Sequence, residues 1–580
     1  MNRKKIVSHF LYSQKVAPYV FILPFILTFS IFFVYPVINT VAMSFQKVSG
    51  SGNTFVGLKN YKSLMNPIFF KAVKNSMFYT IVTLCLMIPV PMLLATILNS
   101  KLMKCKTVFR SSMFVPALTS VVVAGTIFRL IYGELEGSFA NQVMAMFGNG
   151  PIVWLRKPLT VWIALFTICM WRWTGVNMMY YLSGLQQIPE ELYESASIDG
   201  ASALQKFRHI TLPLLKPTTV YVLTISIFAG LAMFTESYIL FNGNTSPNNV
   251  GTTIVGYLYR MGWEQNNIGL ASAIGCFLLV MVLIINLIQL GINGTFRKED
   301  SRMKSKKNIC SVCLVLFFIL VAGITLLPLI LLAVASLSPG SELMRNGLNF
   351  NIDFAKASLN NYVQLFNGNN SYFYWYRNSL TITIVQVAMT LFLSACVGYG
   401  FAMYDFKGKN FLFVCVLLVM MIPTEIILLP LYRMTIAMKT IDTMWGIILP
   451  YLVLPMLVFF FRQYLSGIPR DFLDAARVDG CTEYGIFLKI MLPLMKPSFA
   501  AMGIYQGMQS WNNFLWPMIV MRTATKITLP VGLAGLITPY GNNYDILIAG
   551  SCFAIIPILI LFICFQSYFI DGMTAGGVKG

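Results

Sequence analysis

Apolar residues along this chain fall in long uninterrupted runs separated by short polar segments. Twelve such runs lie near 18–44, 75–99, 108–132, 158–184, 218–241, 268–292, 309–336, 379–404, 410–436, 442–467, 498–522 and 548–570. A helix needs roughly 20 apolar residues to cross a bilayer, and each run is about that long. The first run follows a basic stretch (Arg3, Lys4, Lys5, Lys15), as a signal peptide would. Its apolar part is too long for the ~7–15-residue core of a cleaved signal, so it is expected to stay as a signal-anchor helix. The pattern predicts an all-α polytopic membrane protein with twelve spans.

The runs form two sets of six that repeat one another. Asn60-Tyr61 matches Asn361-Tyr362, and Asn75-Ser76 matches Asn378-Ser379. Further on, Ile188-Pro189 matches Ile468-Pro469, Asp199-Gly200 matches Asp479-Gly480, and Leu212-Pro213-Leu214 matches Leu492-Pro493-Leu494. The offset falls from 301–303 to 280, which places about twenty extra residues in the first copy, in the long loop 133–157. Six spans per copy is an even number, so both copies enter the membrane in the same direction. They are parallel repeats, of the kind related by an axis along the membrane normal. The expected halves are 1–300 and 303–580, joined by a basic linker at 293–308. Met303-Lys-Ser-Lys-Lys307 within it reads like the start of an independent polypeptide, as if two chains had been fused.

Composition narrows the class. Of 580 residues, 57% are apolar and only 11% charged, with a mean hydropathy of +0.71. Soluble globular chains carry roughly 25% charged residues, so a water-soluble enzyme is excluded. The 45 Phe, 27 Tyr and 9 Trp exclude disorder. A net charge of +21 suggests nucleic acid at first sight. Membrane proteins, however, also collect Lys and Arg on their inner loops, and no nucleic-acid partner is expected. The linker alone holds Arg297, Lys298, Arg302, Lys304, Lys306 and Lys307, which puts the N- and C-termini inside. Five lysines in the outer segment 45–75 (47, 59, 62, 71, 74) run against that bias. The eleven cysteines are scattered through apolar runs, so they imply no disulfide framework. Cys310 and Cys313 lack the second ligand pair a closed zinc site takes, and His9 and His209 are the only histidines. No metal site is expected.

The fourth inner segment of each copy carries the most information. It spans 189–213 in the first copy and 469–493 in the second. Each starts with Pro189 or Pro469, which suits a first helical position, and places acids in the first turn (Glu190, Glu191, Asp471), where the helix dipole favours them. Small residues follow, then Gly200 or Gly480, and a second stretch ends at Pro213 or Pro493. The expectation is a short helix, an elbow at glycine, and a second helix. Two such elbows on one face form a docking device, whereas a single one would read as an interfacial amphipathic helix.

Both segments match the pattern EAA, three residues, Gly, nine residues, Ile-x-Leu-Pro. The first copy supplies Glu194-Ser195-Ala196, Gly200, Ile210 and Leu212-Pro213; the second supplies Asp474-Ala475-Ala476, Gly480, Ile490 and Leu492-Pro493. The chain thus resembles the inner-membrane permeases of binding-protein-dependent ABC importers, over nearly its whole length. The first copy is similar to a maltose-permease-type subunit without its large exterior domain, and the second to the usual partner subunit. Within that family the likeness runs to the permease pair for arabino-oligosaccharides, carried by Tyr404-Asp-Phe-Lys-Gly408, Ser510-Trp-Asn-Asn-Phe-Leu-Trp-Pro517, Pro539-Tyr-Gly-Asn-Asn-Tyr-Asp545 and the ending Gly577-Val-Lys-Gly580.

The resemblance implies a type I ABC importer transmembrane-domain fold of two parallel six-helix repeats in the cell membrane. It implies no enzyme activity and no cofactor in this chain. ATP and Mg would sit on two copies of a separate ATPase, docked at Glu194, Ala196, Asp199, Gly200, Asp474, Ala475, Ala476, Asp479 and Gly480. An external sugar-binding protein would meet the outer loops 45–74, 133–157, 242–267 and 337–378. In agreement, no G-x-x-x-x-G-K-[ST] phosphate loop occurs, and Gly576-Gly577-Val578-Lys579 lacks the spacing.

Polar residues inside spans are costly and mark a path for the solute. Aromatic rings stack on sugar C–H faces and amides bond hydroxyls, which selects Trp173, Asn177, Tyr181, Phe234, Glu236, Tyr238, Gln509, Trp511, Asn512 and Asn513. Asn177 and Tyr181 lie four apart and share a helix face. Arg172 is expected to snorkel, and Glu425 to serve packing. The competing reading is an ion-coupled secondary sugar transporter, which needs carboxylates in relay positions; only Glu236 and Glu425 qualify. A membrane-embedded enzyme would want clustered His or paired carboxylates, and the sequence offers neither.

Overall fold

In the computed structural model the described residues are 11–49, 52–100, 103–292, 311–348, 357–367, 371–420, 422–537 and 543–575. The linker 293–308 with Met303, the ending Gly577–Gly580 and residues 539–542 lie outside them.

Seven helices are long and apolar enough to cross a membrane: Ala17–Ser44, Pro67–Asn99, Pro158–Gln186, Ile268–Gln289, Leu314–Ala335, Tyr372–Met403 and Tyr544–Cys564. Five bent helix pairs are further candidates, which brings the total among the described residues to twelve if each pair is one span. The five expected as single helices are thus broken. Lys106–Leu118 meets Val121–Ile131 at 94°, and its counterpart Lys409–Met420 meets Thr424–Ala437 at 91°. At the first break Ser120 takes a non-helical conformation and its hydroxyl accepts from Val122 N at 3.3 Å. At the second, Pro423 caps the new segment, where a proline cannot continue the preceding ladder.

The sequence matches between copies are load paths in the fold. The Asn60 amide donates to the carbonyls of Ser44 (2.8 Å) and Gln46 (2.9 Å), and Asn361 does the same to Ser336 (2.9 Å) and Ser338 (2.8 Å). Tyr61 and Tyr362 hydrogen-bond the hydroxyls of Ser44 and Ser336. The next pair is used as consistently. Asn75 binds the carbonyls of Asn249 and Thr252 while the Ser76 hydroxyl accepts from Ile254 N; Asn378 binds those of Thr525 and Ile527 while Ser379 accepts from Leu529 N. Each Asn-Ser pair therefore ties the second span of its half to the loop before the sixth. Buried backbone groups need such partners where helices end inside protein.

The first span of each half reaches across to the other half. Ala17–Phe29 packs on Tyr372–Met403 of the second half. Ser311–Ala335 packs on Lys106–Leu118 of the first, and Trp171 donates its indole N–H to Thr325 O at 2.7 Å. Close approach is used within halves too. A Cβ at Gly175 would meet the Met113 carbonyl oxygen at 1.9 Å, so only glycine lets Pro158–Gln186 lie on Lys106–Leu118.

The long segment 133–157 is not a bare loop. It contains the helix Phe139–Met146 and is drawn in by Asn141, whose amide oxygen accepts from Ile152 N (2.9 Å) and the Trp154 indole (2.8 Å). The outer segment after the first span also carries an antiparallel hairpin, Gln46–Ser49 with Gly52–Phe55, which the apolar pattern did not predict.

Candidate functional site

The segments 189–213 and 469–493 both fold as elbows with the same order of elements. The helices Glu190–Ile198 and Asp471–Val478 end at Asp199 and Asp479. Gly200 and Gly480 then take φ of +75° and +77°. That left-handed conformation costs a residue with a Cβ about 1–2 kcal/mol, although at Gly480 nothing lies within 4 Å to obstruct one. Ser202 and Thr482 cap the second helix, the former in a capping box with Gln205. A π-helical turn follows in each (Phe207–Thr211, Phe487–Met491), then the Leu-Pro-Leu segment.

The sequence-selected docking residues divide into two sets. Glu194, Asp199, Asp474, Ala475 and Asp479 are exposed, and Gly480 with them, while Gly200 is half-buried. Ala196 and Ala476 are buried instead and are not available for contact. Their carbonyls accept from Ala201 N (2.7 Å) and Cys481 N (3.0 Å), which closes the elbow. Asp474 does not wait for a partner's cation either: Arg477 Nη1 lies 2.9 Å from it. Two residues that motif reasoning passed over stand out at the tips. Ile198 is 87% exposed and Val478 88%, at equivalent positions just before Asp-Gly. An apolar side chain repeated at both tips was the available signal.

The second elbow carries a charge network absent from the first. Arg477 bonds Glu483 through Nε (2.9 Å) and Nη2 (3.0 Å), and the Tyr404 hydroxyl donates to Glu483 at 2.6 Å. Burial, Tyr399 and the Glu483 carboxylate push the Tyr404 hydroxyl up, so it stays protonated and able to donate. Lys409 holds the exposed Asp405 carboxylate below its usual range, with Arg470 at 3.4 Å. At positions equivalent to Arg477 and Glu483 the first copy has Ser197 and Ala203.

Within the helix bundle the fifth spans break, and the breaks of the two halves meet. Lys216–Leu231 gives way to Thr235–Phe241, and Lys496–Trp511 to Leu515–Val520. Phe234 and Phe514, equivalent at an offset of 280, hold the non-helical joints. Tyr238 packs on Phe234 (5.2 Å between ring centres) and on Phe514 across the seam (6.1 Å). Irregular backbone at membrane depth is tolerated only where protein buries it or it lines a cavity.

Around this joint the third-span break of the first half supplies carbonyls. Leu118 O accepts from the Asn512 amide at 3.2 Å, which links the halves. Thr119 O accepts from Arg172 Nη2 at 3.4 Å, and Arg172 Nη1 lies 3.4 Å from Glu236 Oε1. Arg172 is therefore buried and paired, not snorkelling, with its guanidinium 5.1 Å from the centre of the Trp173 ring. Glu236 sits in the first turn of its half-helix, where the dipole favours a carboxylate. Arg172 Nε, Thr119 Oγ1 and Asn512 Oδ1 are buried with no hydrogen-bond partner among the described residues.

The structure brings together only some of the residues selected for the path. Trp173, Phe234, Glu236, Tyr238 and Asn512 gather at the joint, Asn513 is half-buried beside it, and Gln509 is exposed one turn away. Asn177, Tyr181 and Trp511 depart from expectation. Tyr181 is fully buried, Asn177 faces Met87 O at 3.5 Å inside the first half, and Trp511 donates to Ala554 O at 3.1 Å. Asn177 and Trp511 bond backbone carbonyls of neighbouring helices, and Tyr181 is enclosed among them. The shared face of Asn177 and Tyr181 is real but points at the second and fifth spans. No cluster of three or more potential metal ligands occurs among the described residues.

Comparison with known proteins adds the family. The profile of the family described as "Binding-protein-dependent transport system inner membrane component" matches residues 12–298 and again 391–574. The arabinooligosaccharides transport system permease protein AraQ of Bacillus subtilis is 54% identical over 47% of this chain and 97% of its own length. The arabinooligosaccharides transport system permease protein AraP of the same organism is 51% identical over 50% of this chain and 92% of its own length. The lactose transport system permease protein LacF of Rhizobium radiobacter is 30% identical over 47% of this chain and 92% of its own. A bacterial ABC transporter for import of the acidic polysaccharide alginate shares 25% identity, with a TM-score of 0.44 over 51% of this chain and 99% of that one. With that profile matching on both sides of the linker, the chain belongs to the inner-membrane components of binding-protein-dependent transport systems, as two permease units in one polypeptide.

Proposed function

We propose that this chain is the permease component of an ATP-driven importer of sugars or oligosaccharides and forms its translocation path, with arabino-oligosaccharides the first candidates. The halves 1–300 and 303–580 act as the two permease subunits. Two copies of a separate ATPase dock one on each elbow, and the elbow end is cytoplasmic, with both chain termini on that side. A sugar-binding protein delivers the solute at the opposite end. The single observation that carries this reading is the pair of matching elbows, each presenting an exposed apolar tip beside an acidic, glycine-bent turn.

The sugar passes the joint where the fifth-span breaks meet. Phe234, Tyr238 and Trp173 offer ring faces there. The unpartnered atoms of Thr119, Arg172 and Asn512 offer donors and acceptors that sugar hydroxyls would satisfy. Glu236 is neutralised by Arg172, so it does not fit a proton relay. The test is uptake of labelled arabino-oligosaccharide into proteoliposomes that hold the chain, its ATPase and its binding protein. Uptake requiring ATP and the binding protein supports the proposal; uptake driven by an ion gradient without ATPase refutes it.

A further inference from the structure

A groove of about 720 Å³ lies at the seam between the exchanged first span and the third span of the second half. Its volume is within the ~300–1,000 Å³ that holds a bound small molecule. Its lining is apolar at Ile31, Pro430, Met434 and Ala437 and polar at Tyr35, Asn39, Asn53 and Arg433. It faces outward from the bundle. Leu27, Ile31, Tyr35 and Ile38 form the exposed stripe of the first span, whereas Phe32, Pro36, Thr40 and Met43 form the buried one. The groove is therefore separate from the joint between the fifth spans.

Its height is set by its neighbours. Ala17, at the other end of the first span, packs with the second elbow, so the groove occupies the half of the membrane remote from the elbows. Tyr432, next to Arg433, contacts Arg522, whose backbone N–H is held by Asp442 in the loop beyond the span. Arg433 thus sits at headgroup level. Its one hydrogen bond among the described residues goes to Met43 Sδ at 3.3 Å, a neutral acceptor, and no carboxylate pairs with it there. A lipid-facing guanidinium is costly in hydrocarbon and is stabilised when it reaches an anion at the interface. The exposed Lys47 of the adjoining hairpin and the nearby Lys59 and Lys62 add positive charge at this end, opposite to the usual bias.

We infer that this groove binds an anionic phospholipid of the leaflet remote from the elbows. Its phosphate meets Arg433, its glycerol and headgroup hydroxyls meet Tyr35, Asn39 and Asn53, and one acyl chain lies along Ile31 and Met434. Basic pockets between membrane helices recognise lipid phosphates in this manner. Bound there, the lipid bridges the two halves at the seam formed by the exchanged span.

The test is native mass spectrometry of the full chain in detergent with added phosphatidylglycerol. Arg433→Gln is expected to lower the retained lipid about fivefold and Arg433→Lys to keep most of it, since one basic residue contributes about that factor. Ala437→Phe leaves the guanidinium in place but puts a ring into the groove, and is expected to lower retention as well. Phosphatidylcholine should be retained less than phosphatidylglycerol, and inorganic phosphate or glycerophosphoglycerol should not displace the lipid. The inference is overturned if monodisperse Arg433→Gln and Ala437→Phe both carry as much phosphatidylglycerol as the parent. It is also overturned if the headgroup without chains competes as well as the lipid, which would make the groove a site for a soluble phosphate.

Discussion

Arg172 and Glu236 meet 3.4 Å apart where the fourth span of the first half passes the break in the fifth, and both side chains are largely buried. An apolar pair would fill the same space without the desolvation cost of two charges. Removing one member leaves the other uncompensated, which costs on the order of 3–5 kcal/mol. Glu236→Ala is therefore expected to lower the melting temperature of the purified protein sharply. Arg172→Met combined with Glu236→Leu should recover most of that loss while sugar uptake stays low. Uptake restored along with stability in the double variant would show that the pair serves the fold alone.

Much of this arrangement was legible beforehand, and the reasons for the rest are physical. Span number, the repeat and the elbows follow from run length and matching residues, because lipid forces helices to be apolar along their whole length. That same uniformity hides which face is buried. Asn177, Tyr181 and Trp511 looked like path residues, yet Asn177 and Trp511 bond neighbouring helices and Tyr181 is enclosed in the bundle. The breaks at 119–120 and 232–234 were hidden because an apolar run does not record a change of direction, so the carbonyls of Leu118 and Thr119 could not be anticipated.

At the end remote from the elbows, Asp442 ties two loops together. Its carboxylate accepts from Arg522 N (2.9 Å), Thr523 N (3.1 Å) and Thr523 Oγ1 (2.6 Å), and Lys526 Nζ lies 3.1 Å away. Burial works against ionisation, but these donors prevail and hold the group well below the usual carboxylate range. A depressed folded value means the stabilisation is complete above the unfolded pKa of about 4 and is lost as pH falls below it. Protection factors of the 520–527 amides should thus hold steady from neutral pH down to about 4 and fall below it. Asp442→Asn should show the lower protection already at neutral pH, with no acid transition of its own. An acid transition unchanged in the variant would assign it elsewhere.

The two elbows differ in what braces them. Glu483 is 2% exposed and held by Arg477 and Tyr404, whereas the first copy has Ala203 and Ser197 at the matching positions. Arg477→Ala leaves a buried carboxylate without its cation, at a cost on the order of 3 kcal/mol. Limited proteolysis and hydrogen exchange are expected to speed up in 469–493 and to remain unchanged in 189–213. Equal loosening of both segments would contradict the asymmetry.

Coupling to an ATPase through both elbows is tested most directly by co-purification with the tips altered. Ile198 and Val478 are almost fully exposed, so Ile198→Asp and Val478→Asp should leave the chain folded and monodisperse. Each single variant is expected to lower the amount of ATPase recovered with the chain, and the double variant to abolish it together with ATP-driven uptake. Full recovery of ATPase with the double variant would contradict the account.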